Sequence, residues 1–327
     1  MTTPARGIPL IDLSPWFIGS ADDRVGLAQE VDRALQRVGF LVITGHGVSA
    51  ELISAVRAAA KDFFALPRQT KEQYATKVGG RGWLAIGGEA NGYSEGTETP
   101  PDLKESFIVG PQRRSESDAD SNAESGWFAP NVWPTQTPEL RVQLEWYLAQ
   151  MRALADALLS LCAQSLQQDP AFFCAATQDP SWSFQLNWYP SRTVTGTPQL
   201  GQFRIGPHTD FGTVTILDRQ AGDGGLQIDI DGEGWVDAPD VPGALIVNTG
   251  DLLARWTGER WRSNRHRVLP PPASAPDEEL LSLVYFFEAD PLAVVTALPR
   301  PIGHRDHLPD VEVSEFLRAR YDAITMA

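Results

Sequence analysis

The sequence that decides the fold runs Gly206-Pro207-His208-Thr209-Asp210-Phe211-Gly212-Thr213-Val214-Thr215-Ile216-Leu217. It places an imidazole and a carboxylate close together, just before a run of β-branched residues of the kind that favours strands. Side chains at i and i+2 of an extended strand point to the same side, so His208 and Asp210 can bind one metal ion together.

A second histidine, His266, lies far downstream in the segment 255–268. Two histidines and one carboxylate make the facial triad that suits non-haem Fe(II), and this triad leaves positions open for O2 and a co-ligand. We therefore predict that His208, Asp210 and His266 are the catalytic metal ligands.

The composition argues against several classes of function. The net charge of −15 disfavours a nucleic-acid partner, because binding phosphates needs clustered lysine and arginine. No apolar run approaches the roughly 20 residues of a membrane span, and the first residues lead into no long apolar segment of a signal peptide. With 327 residues, a hydrophobic fraction of 42% and two cysteines, we expect a cytoplasmic globular protein with a sizeable core.

The first third of the chain predicts a mixture of strands and helices. Residues 8–13 and 39–48 predict strands, and apolar residues at helical spacing predict helices over 22–38 and from Ser49 towards Pro67. Ser20 and Ser49 are expected to cap these two helices.

The rest of the chain predicts one long helix followed by strands. Thr137-Pro138-Glu139 predicts the helix start, with Thr137 as the cap, and an apolar face reaching Leu166 predicts packing against a sheet. The predicted strands are 183–189, 199–205, 213–217, 225–230, 235–238, 244–249, 265–268 and 281–288. A closing helix is predicted over 311–324.

Short strands with regular turns predict a mainly β fold with flanking helices, in which a jelly roll of two facing antiparallel sheets forms the core. We expect an N-terminal mixed region over 1–136 and the long helix, jelly-roll core and C-terminal helix over 137–327, together forming one compact unit. The segment 77–131 is long, polar and irregular, which predicts functional loops or a lid near the open end of the barrel.

Several further segments carry a resemblance to a known family. They are 39–48, 63–67, Asp102-Leu103-Lys104-Glu105-Ser106-Phe107, Asn187-Trp188-Tyr189-Pro190, Asn248-Thr249-Gly250-Asp251 and His266-Arg267-Val268. Together with the His208 segment they resemble the isopenicillin-N-synthase-like branch of the Fe(II)/2-oxoglutarate-dependent oxygenases, over nearly the whole chain and in the family's order. The resemblance implies a double-stranded β-helix with N-terminal helices packed against it, the same three iron ligands, and a role in secondary metabolism such as antibiotic biosynthesis. His46, His304 and His307 match no ligand position.

The resemblance also implies a 2-oxoglutarate site. Asn187 and Tyr189 match the family's Asn-x-Tyr, and Ser282 matches the serine of its Arg-x-Ser pair, but Leu280 occupies the place of the arginine. A buried carboxylate without a cation costs several kcal/mol, so either another basic group replaces the arginine or the co-substrate is a different one. Arg204 is the candidate replacement, because it lies four residues before the first histidine and so shares its face of a regular strand.

The implied chemistry consumes O2, decarboxylates 2-oxoglutarate to succinate and CO2, and hydroxylates, desaturates or cyclises a small organic metabolite. Three alternatives are open at this point. An oxidase of the isopenicillin-N-synthase type would use O2 without 2-oxoglutarate, a Zn-filled site would catalyse hydrolysis, and a non-catalytic jelly-roll module would only bind its ligand.

The aromatic residues of the segment 77–131 suggest a substrate with apolar surface. Trp83, Tyr93 and Phe107 are the candidate contacts, although large rings more often pack in a core, and Arg81 is a candidate anchor for an acid group. A small molecule is the only partner we expect, bound by a monomer or a weak homo-oligomer.

Overall fold

The computed structural model describes residues 7–96, 99–112 and 126–324. Its helices are α1 (Ser14–Ile18), α2 (Ala21–Arg37), α3 (Ala50–Phe64), α4 (Arg68–Lys71), α5 (Pro138–Ser165), α6 (Arg192–Thr195), α7 (Asp251–Trp256) and α8 (Val313–Ile324). Its strands are β1 (Leu10–Asp12), β2 (Phe40–Thr44), β3 (Gly82–Leu84), β4 (Glu105–Val109), β5 (Trp182–Tyr189), β6 (Ile205–His208), β7 (Val214–Arg219), β8 (Leu226–Ile230), β9 (Gly234–Asp237), β10 (Leu245–Thr249), β11 (His266–Val268), β12 (Leu280–Phe287), β13 (Val294–Val295) and β14 (Val311–Glu312).

Two sheets form the core of the molecule. The larger has the strand order β1-β2-β10-β7-β12-β5-β4-β3, and the smaller has the order β6-β11-β8-β9. Neighbouring strands in both sheets are antiparallel, except that β1 runs parallel to β2. This arrangement confirms the predicted jelly roll with flanking helices, and it draws strands from both the N-terminal region and the core into one sheet.

The two faces of the larger sheet have different partners, because successive side chains of a strand point to opposite sides. One face packs with α2, α3 and α5 into the main hydrophobic core, to which β12 contributes Leu281, Leu283, Tyr285 and Phe287. The residues of β12 that alternate with these four point to the other face, which looks towards the smaller sheet. They line the space between the two sheets. That inner face carries the polar residues of the candidate active site described below.

The predicted caps are present at two of the three helix starts. Ser20 and Asp23 form a capping box at the start of α2, and the Ser49 hydroxyl accepts a hydrogen bond from the Leu52 N–H at the start of α3. The third expectation was wrong, because the Thr137 side chain makes no capping hydrogen bond to α5. Among the helices of the described residues, none is long and apolar enough to cross a membrane.

Three expectations about elements also need correction. The segment 77–131 is not only loops, because β3 and β4 lie within it and extend the larger sheet beyond β5. All five residues of β4 are buried, so the alternating pattern that marks a half-buried strand is missing there. The strand expected over 199–205 begins only at Ile205, after a turn in which Gly201 has a φ of 75°. The closing helix begins at Val313, because the two residues before it pair with β13.

Candidate active site

The three candidate ligands come together where the smaller sheet meets the loop after β6. His208 ends β6 and His266 begins β11, and the two residues face each other across this antiparallel pair. Their ring centroids lie 4.2 Å apart. The Asp210 Oδ1 lies 3.7 Å from the Nε2 of His208 and 3.5 Å from the Nε2 of His266. One ligand atom from each of the three residues fits within a span of 4.8 Å.

Backbone carbonyls fix both imidazoles in the tautomer that a metal needs. The Nδ1 of His208 donates to the Gly206 carbonyl at 2.8 Å, and the Nδ1 of His266 donates to the Asn264 carbonyl at 3.2 Å. A carbonyl can only accept, so in the neutral ring the proton is on Nδ1 and Nε2 keeps its lone pair. Such an outer contact orients a metal-binding histidine and raises its basicity.

The Asp210 carboxylate is held by its other oxygen. Its Oδ2 accepts from the Thr215 hydroxyl and from the Asn248 amide, each at 2.6 Å, which leaves Oδ1 facing the two histidines. Burial raises the pKa of Asp210, but His266, His208 and these two bonds lower it below its ordinary value. Burial and the neighbouring His266 lower the pKa of His208. Asp210 is therefore ionised and His208 neutral near pH 7, which are the states that bind a divalent metal.

A cavity of about 320 Å³ opens onto one side of these residues. Its wall contains His208 and Asp210 together with Trp127, Trp182 and Phe211. Its other polar and charged lining residues are Lys77, Arg81, Glu89, Asn91, Lys104, Ser181, Ser183, Gln185, Asn187, Thr209, Glu288, Arg318 and Tyr321. The cavity can therefore hold a molecule that forms many hydrogen bonds.

A second, smaller cavity lies between the two sheets and reaches the same three residues. Asn187, Tyr189 and Ser282 line it, as do Leu280 and Arg219. Asn187, His208 and Asp210 belong to the walls of both cavities, so the candidate metal site lies at their junction.

The residues predicted for 2-oxoglutarate are thus brought together, with the exception of Arg204. The Arg204 side chain is fully buried, and its Nη1 donates to the Glu278 carboxylate at 2.6 Å. The charge of the Glu278 carboxylate is matched by Arg204, and the carboxylate also accepts a hydrogen bond from the Gly224 N–H at 3.1 Å.

Of the four predicted substrate contacts, only Arg81 lies in the wall of the larger cavity. Trp83 and Phe107 are buried in the main hydrophobic core, so their expected contact with substrate is corrected to core packing. Both sit on β3 and β4 with side chains on the helix side of the sheet, where Phe107 packs against Phe63 at a centroid distance of 4.7 Å. Tyr93 lies in a short 3-10 turn beside Asn91 and is not part of the wall formed by the described residues.

Several lining residues were missed, although strand parity could have found some of them. Once Asn187 and Tyr189 are placed inward on β5, Ser183 and Gln185 must point the same way. By the same rule Glu288, just beyond the end of β12, must point to the same face as Ser282.

Other lining residues carried no local signal. Lys104 is one of them, because its position depends on the pairing of β4 with β5. In the cavity wall it forms an ion pair with Glu89 and donates to the Ser106 hydroxyl at 2.9 Å.

Glu288 should make the stability of the metal-free protein depend on pH. Burial and the neighbouring Asp210 raise the pKa of Glu288 to about 8, although a hydrogen bond from the Thr213 backbone opposes this. Between its ordinary pKa and about 8 the folded protein keeps a proton that the unfolded chain has lost. The contribution of Glu288 to stability therefore falls as the pH rises through that interval.

Glu288→Gln should remove this dependence, because glutamine does not titrate. We expect the variant to gain stability relative to the parent protein between about pH 5 and about pH 8. Urea unfolding of both proteins at several pH values, with a chelator present, measures the difference. If the free energy of unfolding changed with pH in the same way in both proteins, the raised pKa of Glu288 would be contradicted, since every other titrating group is common to both.

The donor set and the fold together define a class of protein. Two imidazole nitrogens and one carboxylate oxygen on one side of a jelly roll are the donor set that suits a non-haem Fe(II) oxygenase. The opposite side stays open towards the two cavities, and the ionisation states described above suit Fe(II).

Comparison with known proteins gives the family. Residues 8–136 match the N-terminal domain described for the non-haem dioxygenase of morphine synthesis, and residues 181–289 match the 2OG-Fe(II) oxygenase superfamily. Validamycin A dioxygenase from Streptomyces hygroscopicus subsp. limoneus is 43% identical over 309 residues, which cover 94% of this chain and 84% of that protein. A 2-oxoglutarate-Fe(II) type oxidoreductase from Emericella nidulans is 30% identical over 329 residues, covering 96% and 89%.

Solved structures agree with this result. A full-length Neurospora crassa protein, solved in complex with alpha-KG and thymine, superimposes with a TM-score of 0.81 at 25% identity, covering 97% of this chain and 96% of that one. A 2OG-Fe(II) oxygenase family protein from Caulobacter crescentus gives a TM-score of 0.81 at 28% identity, covering 97% and 99%. The chain belongs to the 2OG-Fe(II) oxygenase superfamily, which confirms the resemblance, and it is a dioxygenase that requires Fe(II), 2-oxoglutarate and O2.

Proposed function

We propose that this enzyme binds Fe(II) through His208, Asp210 and His266, and that it hydroxylates validamycin A or a chemically similar small molecule. The observation that carries the substrate class is the set of charged and hydrogen-bonding side chains in the wall of the larger cavity, which lie among apolar residues such as Trp182 and Ile205. The 43% identity to validamycin A dioxygenase supports the same class.

The protein's part in the reaction is to bind, orient and shield. Fe(II) with 2-oxoglutarate and O2 supplies the oxidising power that removes a hydrogen atom from a C–H bond and replaces it with a hydroxyl group. Asn187, Tyr189 and Ser282 hold the co-substrate in the smaller cavity. Burial raises the pKa of Tyr189, so its hydroxyl stays a neutral donor. Trp127 and Trp182 exclude water from the larger cavity, where the substrate presents one C–H bond to the metal.

Glu288 is the residue we assign to substrate recognition. Its side chain is buried in the wall of the larger cavity, and its Oε2 has no hydrogen-bond partner among the described residues. A buried oxygen without a donor costs about 1–3 kcal/mol, and a hydroxyl or amino group of the substrate would remove that cost. Gly212 makes room for the carboxylate, because a Cβ at this position would lie 1.6 Å from Oε2.

Glu288→Leu should therefore weaken substrate binding while leaving the co-substrate site intact. Loss of a hydrogen bond that leaves the substrate's polar group unpaired costs about 1–3 kcal/mol, so KM for validamycin A should rise about tenfold or more. Steady-state kinetics measures KM, and anaerobic titration measures the affinity for 2-oxoglutarate. Ser282→Ala is the matched control, since it should weaken 2-oxoglutarate binding with little effect on KM. An unchanged KM in Glu288→Leu would remove Glu288 from the substrate site.

The experiment that tests the whole proposal follows O2, succinate and product together. With Fe(II), 2-oxoglutarate and validamycin A, we expect one succinate for each product molecule that gains one oxygen atom. Product formed with O2 but without 2-oxoglutarate would support the oxidase alternative. Activity of the Zn-loaded protein without O2 uptake would support hydrolysis, and binding without turnover would support a non-catalytic module. The cytoplasmic location and the monomeric or weakly oligomeric state stay predictions.

A further inference from the structure

The far end of the smaller cavity lacks the arginine that the family's Arg-x-Ser pair would supply, because position 280 is a buried leucine. We propose that Arg219, on the neighbouring strand β7, binds the distal carboxylate of 2-oxoglutarate in its place, together with Ser282. In this arrangement the positive charge of the smaller cavity comes from β7 instead of from the neighbouring strand β12.

The register of the sheet places Arg219 beside the vacated position. Arg219 lies directly opposite Ser282, and Ser282 in turn lies directly opposite Asn187 on the next strand. Directly opposite residues of an antiparallel pair point to the same face, with Cβ atoms about 4.5–5.5 Å apart. Leu280 is the diagonal neighbour of Arg219, so the two positions serve the same part of the cavity.

The direction of β7 sets the distance from the metal. Thr215, near the start of the strand, bonds to Asp210 at the metal end of the cavity. Arg219 ends the strand four residues further on, which is roughly 13 Å along an extended chain. A keto acid bound to the metal by one end would therefore extend its other carboxylate towards Arg219.

The guanidinium of Arg219 has donors to offer. Its Nη2 donates to the carbonyls of Ala238 and Pro239 at 2.8 and 2.9 Å, and these are its described hydrogen bonds. No carboxylate of the described residues lies within 4 Å of it, in contrast to Arg204. The two carbonyls fix the group, and Asp240 and Asp237 act on its charge without forming an ion pair with it. Nη1 and Nε are thereby left for a ligand.

Arg204 has a different role. Its Nη1 and Nη2 are both bonded to Glu278, and its guanidinium packs on the Tyr189 ring at 5.5 Å. Glu278 in turn bonds to the backbone of the turn before β8. The pair closes the end of the cavity as a neutral unit. The sequence-based assignment of Arg204 to the co-substrate is therefore replaced by Arg219.

Anaerobic titration of the Fe(II)-loaded protein tests this assignment without turnover. The visible metal-to-ligand charge-transfer absorption reports binding of the keto acid to the metal. We expect Arg219→Leu to raise the Kd for 2-oxoglutarate by about 10- to 100-fold, as for a lost hydrogen bond between charged groups. The Kd for 2-oxovalerate, which has no distal carboxylate, should change by less than about threefold.

A variant with the arginine relocated completes the test. In the double variant Arg219→Leu/Leu280→Arg the arginine lies on β12, and this variant should bind 2-oxoglutarate more tightly than Arg219→Leu alone. Thermal unfolding checks that each variant is folded. Arg219→Gln, which keeps donors for the carbonyls of Ala238 and Pro239, gives the same comparison if the leucine variant does not fold. An unchanged Kd for 2-oxoglutarate, or equal weakening of both keto acids, would overturn the proposal whatever the primary substrate is.

Discussion

Replacing any one of His208, Asp210 and His266 with alanine should abolish turnover and greatly weaken Fe(II) binding, while the protein stays folded. The reason is geometric, because each residue supplies one ligand atom to a set that spans no more than 4.8 Å. A site reduced to two protein ligands cannot hold the metal in a fixed orientation against water. Iron content after gel filtration and O2 uptake with 2-oxoglutarate measure the two effects.

Two controls make this result specific. His307→Ala removes an exposed histidine outside both cavities and should leave iron content and turnover unchanged. Thr215→Val removes one of the two donors to Asp210 and should weaken iron binding about 10- to 100-fold without abolishing it. Full activity in any of the three alanine variants would show that the metal is bound elsewhere.

The sequence predicted most of what determines this site. The His208–Asp210 spacing and the distant His266 were enough to name the candidate ligands. The expected placement of His208 and Asp210 on one strand was wrong, because β6 ends at His208 and Asp210 lies in the loop that follows. Except for β6, which was expected over 199–205, the strands from β5 to β12 followed from their patterns of β-branched residues and turns. Asn187, Tyr189 and Ser282 followed from the family resemblance, and the structure places all three in one cavity.

What the sequence could not predict depends on pairing between distant strands. Arg219 has no local feature that separates it from a surface arginine, and only the β7–β12 register puts it opposite Ser282. Lys104 is similar, since β4 carries buried polar residues on both faces and so does not look like a strand. Trp83 and Phe107 were misjudged for the same reason. Their segment was expected to form loops, and a ring in a loop suggests a ligand contact.

At the edge of the larger sheet, a buried ion pair that stabilises the protein lies next to the wall of the larger cavity. Just before β4, Lys104 points into the cavity wall, while the next residue, Glu105, points to the helix side. There the Glu105 carboxylate accepts from the Lys71 ammonium at 2.9 and 2.7 Å and from the Trp83 indole N–H at 2.5 Å. Lys71 also donates to the Phe64 carbonyl at 3.0 Å. The group is buried, so its charges have no water to replace a missing partner.

Lys71→Met should therefore destabilise the protein by about 3–5 kcal/mol, because it leaves the buried Glu105 carboxylate without its cation. Urea unfolding followed by circular dichroism measures the free energy of unfolding. Arg68→Met is the matched control, since its ion pair with Glu72 spans i and i+4 with side chains 79% and 50% exposed. Such a pair contributes only about 0.3–0.5 kcal/mol. The double variant Lys71→Met/Glu105→Gln should recover most of the loss, because a neutral amide still accepts from Trp83 and carries no charge to bury. Equal losses in Lys71→Met and Arg68→Met would show that the buried pair does not hold β4 in place.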